Sequence, residues 1–145
     1  MTTENVTTEA VTTENVTAET VTTERIWATE AGRLPVQERP FGTIGHFPAS
    51  QERMRVSYVG VQPGRPAPVT RHALSGELVY VVSGSAAAYI DGTVETVGAG
   101  ATLYLPPGTS HGFKAYGEPA TLLVVHVPSV PPAEDHEAVL PDFDA

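Results

Sequence analysis

The sequence predicts an all-β fold, a sandwich or barrel built from short strands. Three observations predict it. Seven runs rich in β-branched and aromatic residues follow one another at spacings of about 8 to 12 residues. Most of these runs stop at a Gly or Pro turn signal. Nothing between them carries the 3.6-residue apolar period of a helix. The runs are 54–61 (MRVSYVGV, stopped by Pro63-Gly64), 77–84 (ELVYVVSG), 85–92 (SAAAYIDG), 93–97 (TVETV), 101–106 (ATLYLP), 110–117 (SHGFKAYG) and 120–128 (ATLLVVHVP). Asp91-Gly92 is a strong hairpin turn signal. The Gly- and Pro-punctuated stretch 26–48 predicts one or two short edge strands.

A length of 145 residues fits one domain. Cysteine is absent, which removes disulfides, thiolate metal sites and cysteine nucleophiles together. No apolar run approaches the roughly 18 residues of a membrane span. The start, MTTENVTTEA, has neither a basic region nor an apolar one, so a cytoplasmic location is expected. The net charge of -9 is uneven. Residues 1–30 carry six Glu against one Arg, and residues 134–145 carry five acids and no base. The body between them, 31–133, has seven basic and six acidic residues. It lacks the basic stripe of a nucleic-acid binder.

Residues 2–26 are an internal repeat: TTENV, TTEAV, TTENV, TAETV, TTERI. A period of five matches neither helix nor strand, so its Val residues never share a face. The expected organisation is a disordered acidic tail over 1–25, a folded domain over 26–133 and an acidic, irregular tail over 134–145.

The spacing becomes specific between residues 64 and 115. Gly64, Thr70, His72, Glu77 and Gly84 form a first group. Gly100, Pro106, Gly108, His111 and Ala115 form a second. In spacing these resemble the two motifs of the cupin family, G-x5-H-x-H-x3,4-E-x6-G and G-x5-P-x-G-x2-H-x3-N. Thr70 stands where the family has its first metal-binding His, and Ala115 where it has Asn. The resemblance covers about residues 40–130. It implies a double-stranded β-helix (jelly-roll barrel) and one divalent metal ion, Zn, Fe, Mn or Ni, held by His72, Glu77 and His111.

The residues allow this independently. Thr70 and His72 are two apart and share a strand face. Glu77 opens a strand whose Val79 and Val81 lie on its own face. Two imidazoles and a carboxylate make a three-point site with open positions. The alternative is a buried His72 satisfied by Glu77 in a barrel without metal. Thr70 is either a weak oxygen ligand or a plain β-former. His126 shares a face with Leu122 and Val124. If that face is inward, His126 is a replacement ligand or proton shuttle; otherwise it is a satisfied or surface imidazole. His46 could line the barrel mouth, and His136 in the acidic tail reads as solvated. Tyr58, Tyr80, Tyr89, Tyr104 and Phe113 are available as pocket walls, proton donors or core. Small inward side chains among Ala86, Ala87 and Ala88 would enlarge the cup.

By family analogy, the expected function is a metal-dependent isomerase, epimerase or polyketide-cyclase-type enzyme of secondary metabolism. It would act on a small oxygenated metabolite, with Glu77, His126 or Tyr104 moving a proton. The runner-up is a non-haem Fe(II) dioxygenase, and a third reading is a non-catalytic small-molecule-binding cup. Exposed sheet edges predict a homodimer in which 26–48 covers a partner's sheet edge.

Overall fold

Turn chemistry and side-chain alternation set both the strand ends and the faces. The computed structural model describes residues 10–12, 25–27, 30–47 and 53–145. Its strands are β1 (Ala10–Thr12), β2 (Arg25–Trp27), β3 (Val36–Arg39), β4 (Gly42–His46), β5 (Arg55–Val61), β6 (Val69–His72) and β7 (Gly76–Ser83). They continue as β8 (Ser85–Ile90), β9 (Thr93–Gly98), β10 (Thr102–Leu105), β11 (His111–Ala115), β12 (Ala120–Val127) and β13 (His136–Leu140), with a short helix α1 (Pro132–Asp135) before β13. All strand pairs are antiparallel. The larger sheet runs β10-β7-β12-β5-β4-β3 and the smaller β13-β6-β11-β8-β9. The fold is all-β with a jelly-roll order, as the sequence predicts.

Most of the disordered-tail expectation for 1–25 lies outside the described residues. Within that stretch Ala10–Thr12 pairs with Arg25–Trp27. In 26–48, β3 and β4 add to the chain's own large sheet through β5.

The two sheets pack face to face. Val79, Val81, Leu105, Leu122, Val124 and Val61 of the large sheet meet Ala86 and Ala115 of the small one in a buried core. Alternation follows from Glu77: residues 77, 79 and 81 point inward, while Leu78, Tyr80 and Val82 face out at 38%, 39% and 44% exposure. Ala115, the residue at the motif's Asn position, is simply core.

The hairpin signal is obeyed. Asp91 (φ 46°) and Gly92 (φ 93°) form the two-residue β8–β9 turn, where both positions need positive φ. The Asp91 carboxylate then accepts the Ser110 N–H at 2.8 Å, which fixes the approach to β11. Gly108 (φ 87°) ends the Pro-Pro-Gly turn and donates its N–H to the His72 carbonyl at 2.7 Å. That bond ties the two halves of the motif together just before His111.

The C-terminal segment corrects the sequence reading. It is not irregular: β13 pairs with β6, matching His136 to His72 and Glu137 to Arg71. Asp135 is 1% exposed, and Phe143 is buried against Ala67, Val69 and Ala87 on the outer face of the small sheet. The acidic composition hid this, because only one large apolar side chain, Phe143, anchors the segment, while polar groups do the rest. Ala87 thus makes room outside the barrel rather than in the cup, and neither Ala86 nor Ala88 lines the cavity.

Asp142 holds the end of this clasp, accepting from the Ala67 N–H at 2.8 Å and pairing with Lys114 at 3.0 Å. The Ala67 hydrogen bond first, then the Lys114 ammonium, hold its carboxyl below its ordinary pKa. A carboxylate with a lowered folded pKa stabilises the protein above its unfolded pKa, about 4. It loses that contribution as pH falls through the folded value. Asp142→Asn is therefore expected to lower Tm near pH 7, with the gap to wild type closing as pH drops below about 4. Calorimetry across that range checks it. A gap independent of pH would show that the charge of Asp142 does not act.

Candidate functional site

Register brings the chemistry to one end of the barrel. In the large sheet Glu77 of β7 sits directly opposite His126 of β12, and His126 opposite Arg55 of β5. In the small sheet His111 of β11 sits opposite Thr70 of β6, with His72 two residues on. The inward face of each sheet thus delivers its polar residues at the same mouth. There they line a cavity of about 630 Å³.

His72, Glu77, His111 and His126 are all buried, at 8%, 5%, 6% and 8% exposure. Glu77 Oε1 lies 2.8 Å from His126 Nε2 and 3.3 Å from His72 Nε2. Its Oε2 lies 3.1 Å from His111 Nε2. His72 Nε2 and His126 Nε2 are 3.1 Å apart. The tight group whose ligand atoms all fall within 4.8 Å of one another is His72, Glu77 and His126, with His111 joined through the second carboxylate oxygen.

The outer ring nitrogens fix two tautomers. His72 Nδ1 is 2.9 Å from an Asp135 carboxylate oxygen, an acceptor, so Nδ1 carries the proton. His111 Nδ1 donates to the Thr109 carbonyl at 2.9 Å by the same logic. When these rings are neutral, both Nε2 atoms therefore turn a lone pair toward the Glu77 carboxylate. Lone pairs and a carboxylate converging in a buried site call for a cation between them. The donor set of imidazoles plus carboxylate suits a borderline divalent metal ion. His126 Nδ1 is buried with no hydrogen-bond partner among the described residues, so this ring lacks the outer support of the other two.

Burial opposes ionisation of Glu77. Hydrogen bonds that His111, His126 and His72 donate when their rings are protonated outweigh it and hold the carboxyl well below its usual range. Burial also disfavours a charged His111, but its contacts with the Glu77 carboxylate win and raise its pKa. Asp135 resists burial through N–H donation from Leu74 (2.6 Å) and Ser75 (3.0 Å), which keeps its carboxyl below the ordinary value.

Of the other residues singled out from the sequence, Thr70 lines the cup but its hydroxyl bonds none of the four. Tyr104 faces outward at 62% exposure. Its neighbours Leu103 and Leu105 sit opposite Val79 and Glu77, so alternation turns Tyr104 away from the cup. Tyr58, Tyr80 and Tyr89 are likewise absent from the lining, and only Phe113 of that aromatic set is there. Tyr89 instead packs on Phe143, ring centroids 5.3 Å apart. His136, read as solvated, is exposed and also borders the cup, its ring 5.6 Å from that of His72. Burial first, then the nearby His72, lowers its pKa. His46 lines the cup as expected, its Nδ1 2.8 Å from the Ser57 hydroxyl. Burial first, then Arg55 and Arg39, lowers its pKa and favours the neutral ring. Asp135 and Arg55 were not singled out from sequence. Asp135 is hidden in an acidic run, while Arg55 becomes legible only once β5 is registered against His126.

The sequence matches the family described as Cupin domain over residues 57–126. Among solved structures, Pac13 from Streptomyces, described as a nucleoside dehydratase, is 18% identical with a TM-score of 0.67. The match covers 81% of this chain and 94% of that one. The polyketide cyclase RemF from Streptomyces resistomycificus is 23% identical with a TM-score of 0.66, covering 79% of this chain and 86% of that one. Oxalate decarboxylase from Bacillus subtilis is 21% identical with a TM-score of 0.62, covering 75% of this chain and 31% of that one. At these identities the likeness is one of fold. No curated protein matches the sequence. No helix among the described residues is long and apolar enough to cross a membrane.

Proposed function

For a chain whose residues 57–126 match the Cupin domain family, we propose a metal-dependent cupin enzyme acting on a small oxygenated metabolite by isomerase, epimerase or cyclase-type proton transfer. The observation that carries this reading is the convergence of His72, Glu77, His111 and His126 at one end of a cavity of about 630 Å³. A cyclase and a dehydratase among the similar folds support the reaction class. His72, Glu77, His111 and His126 would hold a divalent ion, which would supply Lewis acidity.

The chain's own groups do the rest. Val59, Val61, Leu122, Ile44 and Phe113 wall the cup and exclude water from a bound carbon skeleton. His46, neutral and steadied by Ser57, is placed to take and return a proton. This role replaces that expected of Tyr104, while Glu77 and His126 are engaged with the cluster. Enolisable ketones incubated in heavy water with the zinc-, iron-, manganese- or nickel-loaded protein should exchange their α-protons without oxygen consumption. Oxygen uptake would favour the dioxygenase reading, and neither reaction would favour a binding cup.

We also propose that the chain is a homodimer. Leu78, Tyr80, Val82 and Tyr104 leave an apolar outer face on β7 and β10 that a second copy would cover. Light scattering at micromolar concentration is expected to give twice the chain mass of 15.3 kDa. A clean monomer would contradict it.

A further inference from the structure

The wall of the cup opposite the small sheet carries two cations for which the metal cluster has no use. Arg55 lies on the inward face of β5, in the same cross-strand row as His126 and Glu77. Neighbouring strands stand about 4.8 Å apart, so the Arg55 backbone is about 10 Å from that of Glu77. One N–H of its guanidinium donates to the Val130 carbonyl at 3.2 Å. The group has five such donors. Arg39 lines the same cavity from the edge strand β3. Its side chain folds back along β3 to Gln37, whose register partner on β4 is Ile44. That places both guanidiniums around His46, and both act on it electrostatically. Among the described residues, neither Arg39 nor Arg55 has a carboxylate partner.

The charge of the cavity follows from its lining. Among the described residues Glu77 is the one carboxylate lining it, against Arg39 and Arg55. With neutral histidines the lining groups sum to plus one, the buried Asp135 carboxylate behind His72 offsets this, and a divalent ion would bring the total to plus two, with both guanidiniums on the wall away from the two carboxylates. Such a site favours an anion. Between the Arg side and the core lie Phe41, Ile44, Val59, Val61 and Leu122, all apolar. The ligand that satisfies both is an apolar body bearing a carboxylate, whose planar geometry matches a guanidinium fork.

We propose that Arg55 and Arg39 form a carboxylate subsite in the cup, and that the substrate is an apolar carboxylic acid. This rests on the cup being the substrate site, but not on the metal.

The probes are 2-naphthoate and its neutral isostere 2-naphthamide, with binding followed by calorimetry. Both metal-loaded protein and protein stripped of metal by chelator are measured. Wild type is expected to bind the carboxylate at least about tenfold more tightly than the amide in both forms, a factor that one charge-assisted pair readily supplies. Arg55→Gln and Arg39→Gln should each shrink that ratio several-fold with metal content unchanged. Arg55→Lys, which keeps the charge but not the fork, should retain part of it and guards against a folding defect in the Gln variant. Equal binding of the two probes by wild type would overturn the proposal. So would a preference found only with metal and untouched by Arg55→Gln, since the metal alone would then hold the carboxylate. A wild type that takes up no metal yet keeps an Arg55-dependent preference would sink the metal reading and leave this one standing.

Discussion

His126→Ala is expected to lose bound metal as completely as His72→Ala does, with an affinity loss of at least about 100-fold. Thr70→Ala should keep nearly all of it. The two halves of this expectation separate the motif's spacing from the geometry. By spacing, Thr70 stands at the position of the missing imidazole. In the fold an imidazole of the other sheet stands in the cluster: His126 Nε2 is 2.8 Å from Glu77 and 3.1 Å from His72. Removal of a ligand should exceed the 10- to 100-fold cost typical of losing an outer-shell partner. Folding should survive, because the core of Val79, Val81, Leu122 and Val124 lies below the cluster and does not depend on it. Zinc titration monitored with a competing chelator gives the constants. Metal affinity of His126→Ala equal to that of wild type would remove His126 from the site.

The second large effect is remote from the ion. Asp135→Asn is expected to weaken metal binding about 10- to 100-fold while the barrel stays folded. The amide oxygen can still accept from the Leu74 and Ser75 N–H groups, which Asp135 Oδ1 now serves. The amide nitrogen, however, would face His72 Nδ1 in place of the carboxylate oxygen 2.9 Å away. A donor there forces His72 Nδ1 to accept, which moves the ring proton to Nε2, the atom that faces Glu77 and His126. A protonated Nε2 cannot bind a metal. Asp135→Ala removes the clash of donors but leaves two backbone N–H groups buried, so it should cost more stability and less selectivity for the tautomer. The same chelator competition and the imidazole nitrogen shifts in NMR check this. An unchanged Nδ1–H tautomer with full metal affinity in Asp135→Asn would contradict it.

The strands were legible because turn residues end them. Pro63-Gly64, Asp91-Gly92 and Pro106-Pro107-Gly108 each close a run within a residue or two of the structural boundary. His72, Glu77 and His111 were legible by spacing, since they open or close strands around those turns. His126 was legible only as a face shared with Leu122 and Val124. Its value depends on β12 lying beside β7, a pairing between distant segments that no local pattern encodes. The tyrosines show the same limit from the other side. Tyr80 faces out by simple alternation from Glu77, whereas Tyr104 faces out because Leu105 registers with Glu77. The C-terminal clasp was invisible because its anchors, Asp135, Asp142 and one Phe, look like solvated tail until β13 finds β6.

The central claim is a metal centre of three imidazoles and one carboxylate. X-ray absorption at the edge of whichever metal the purified protein carries tests it most directly. The account predicts about one ion per chain, with scattering from three imidazole rings and light oxygen ligands, falling to two rings in His126→Ala. Two rings already in wild type, or a protein purified without chelator that carries no metal, would contradict it.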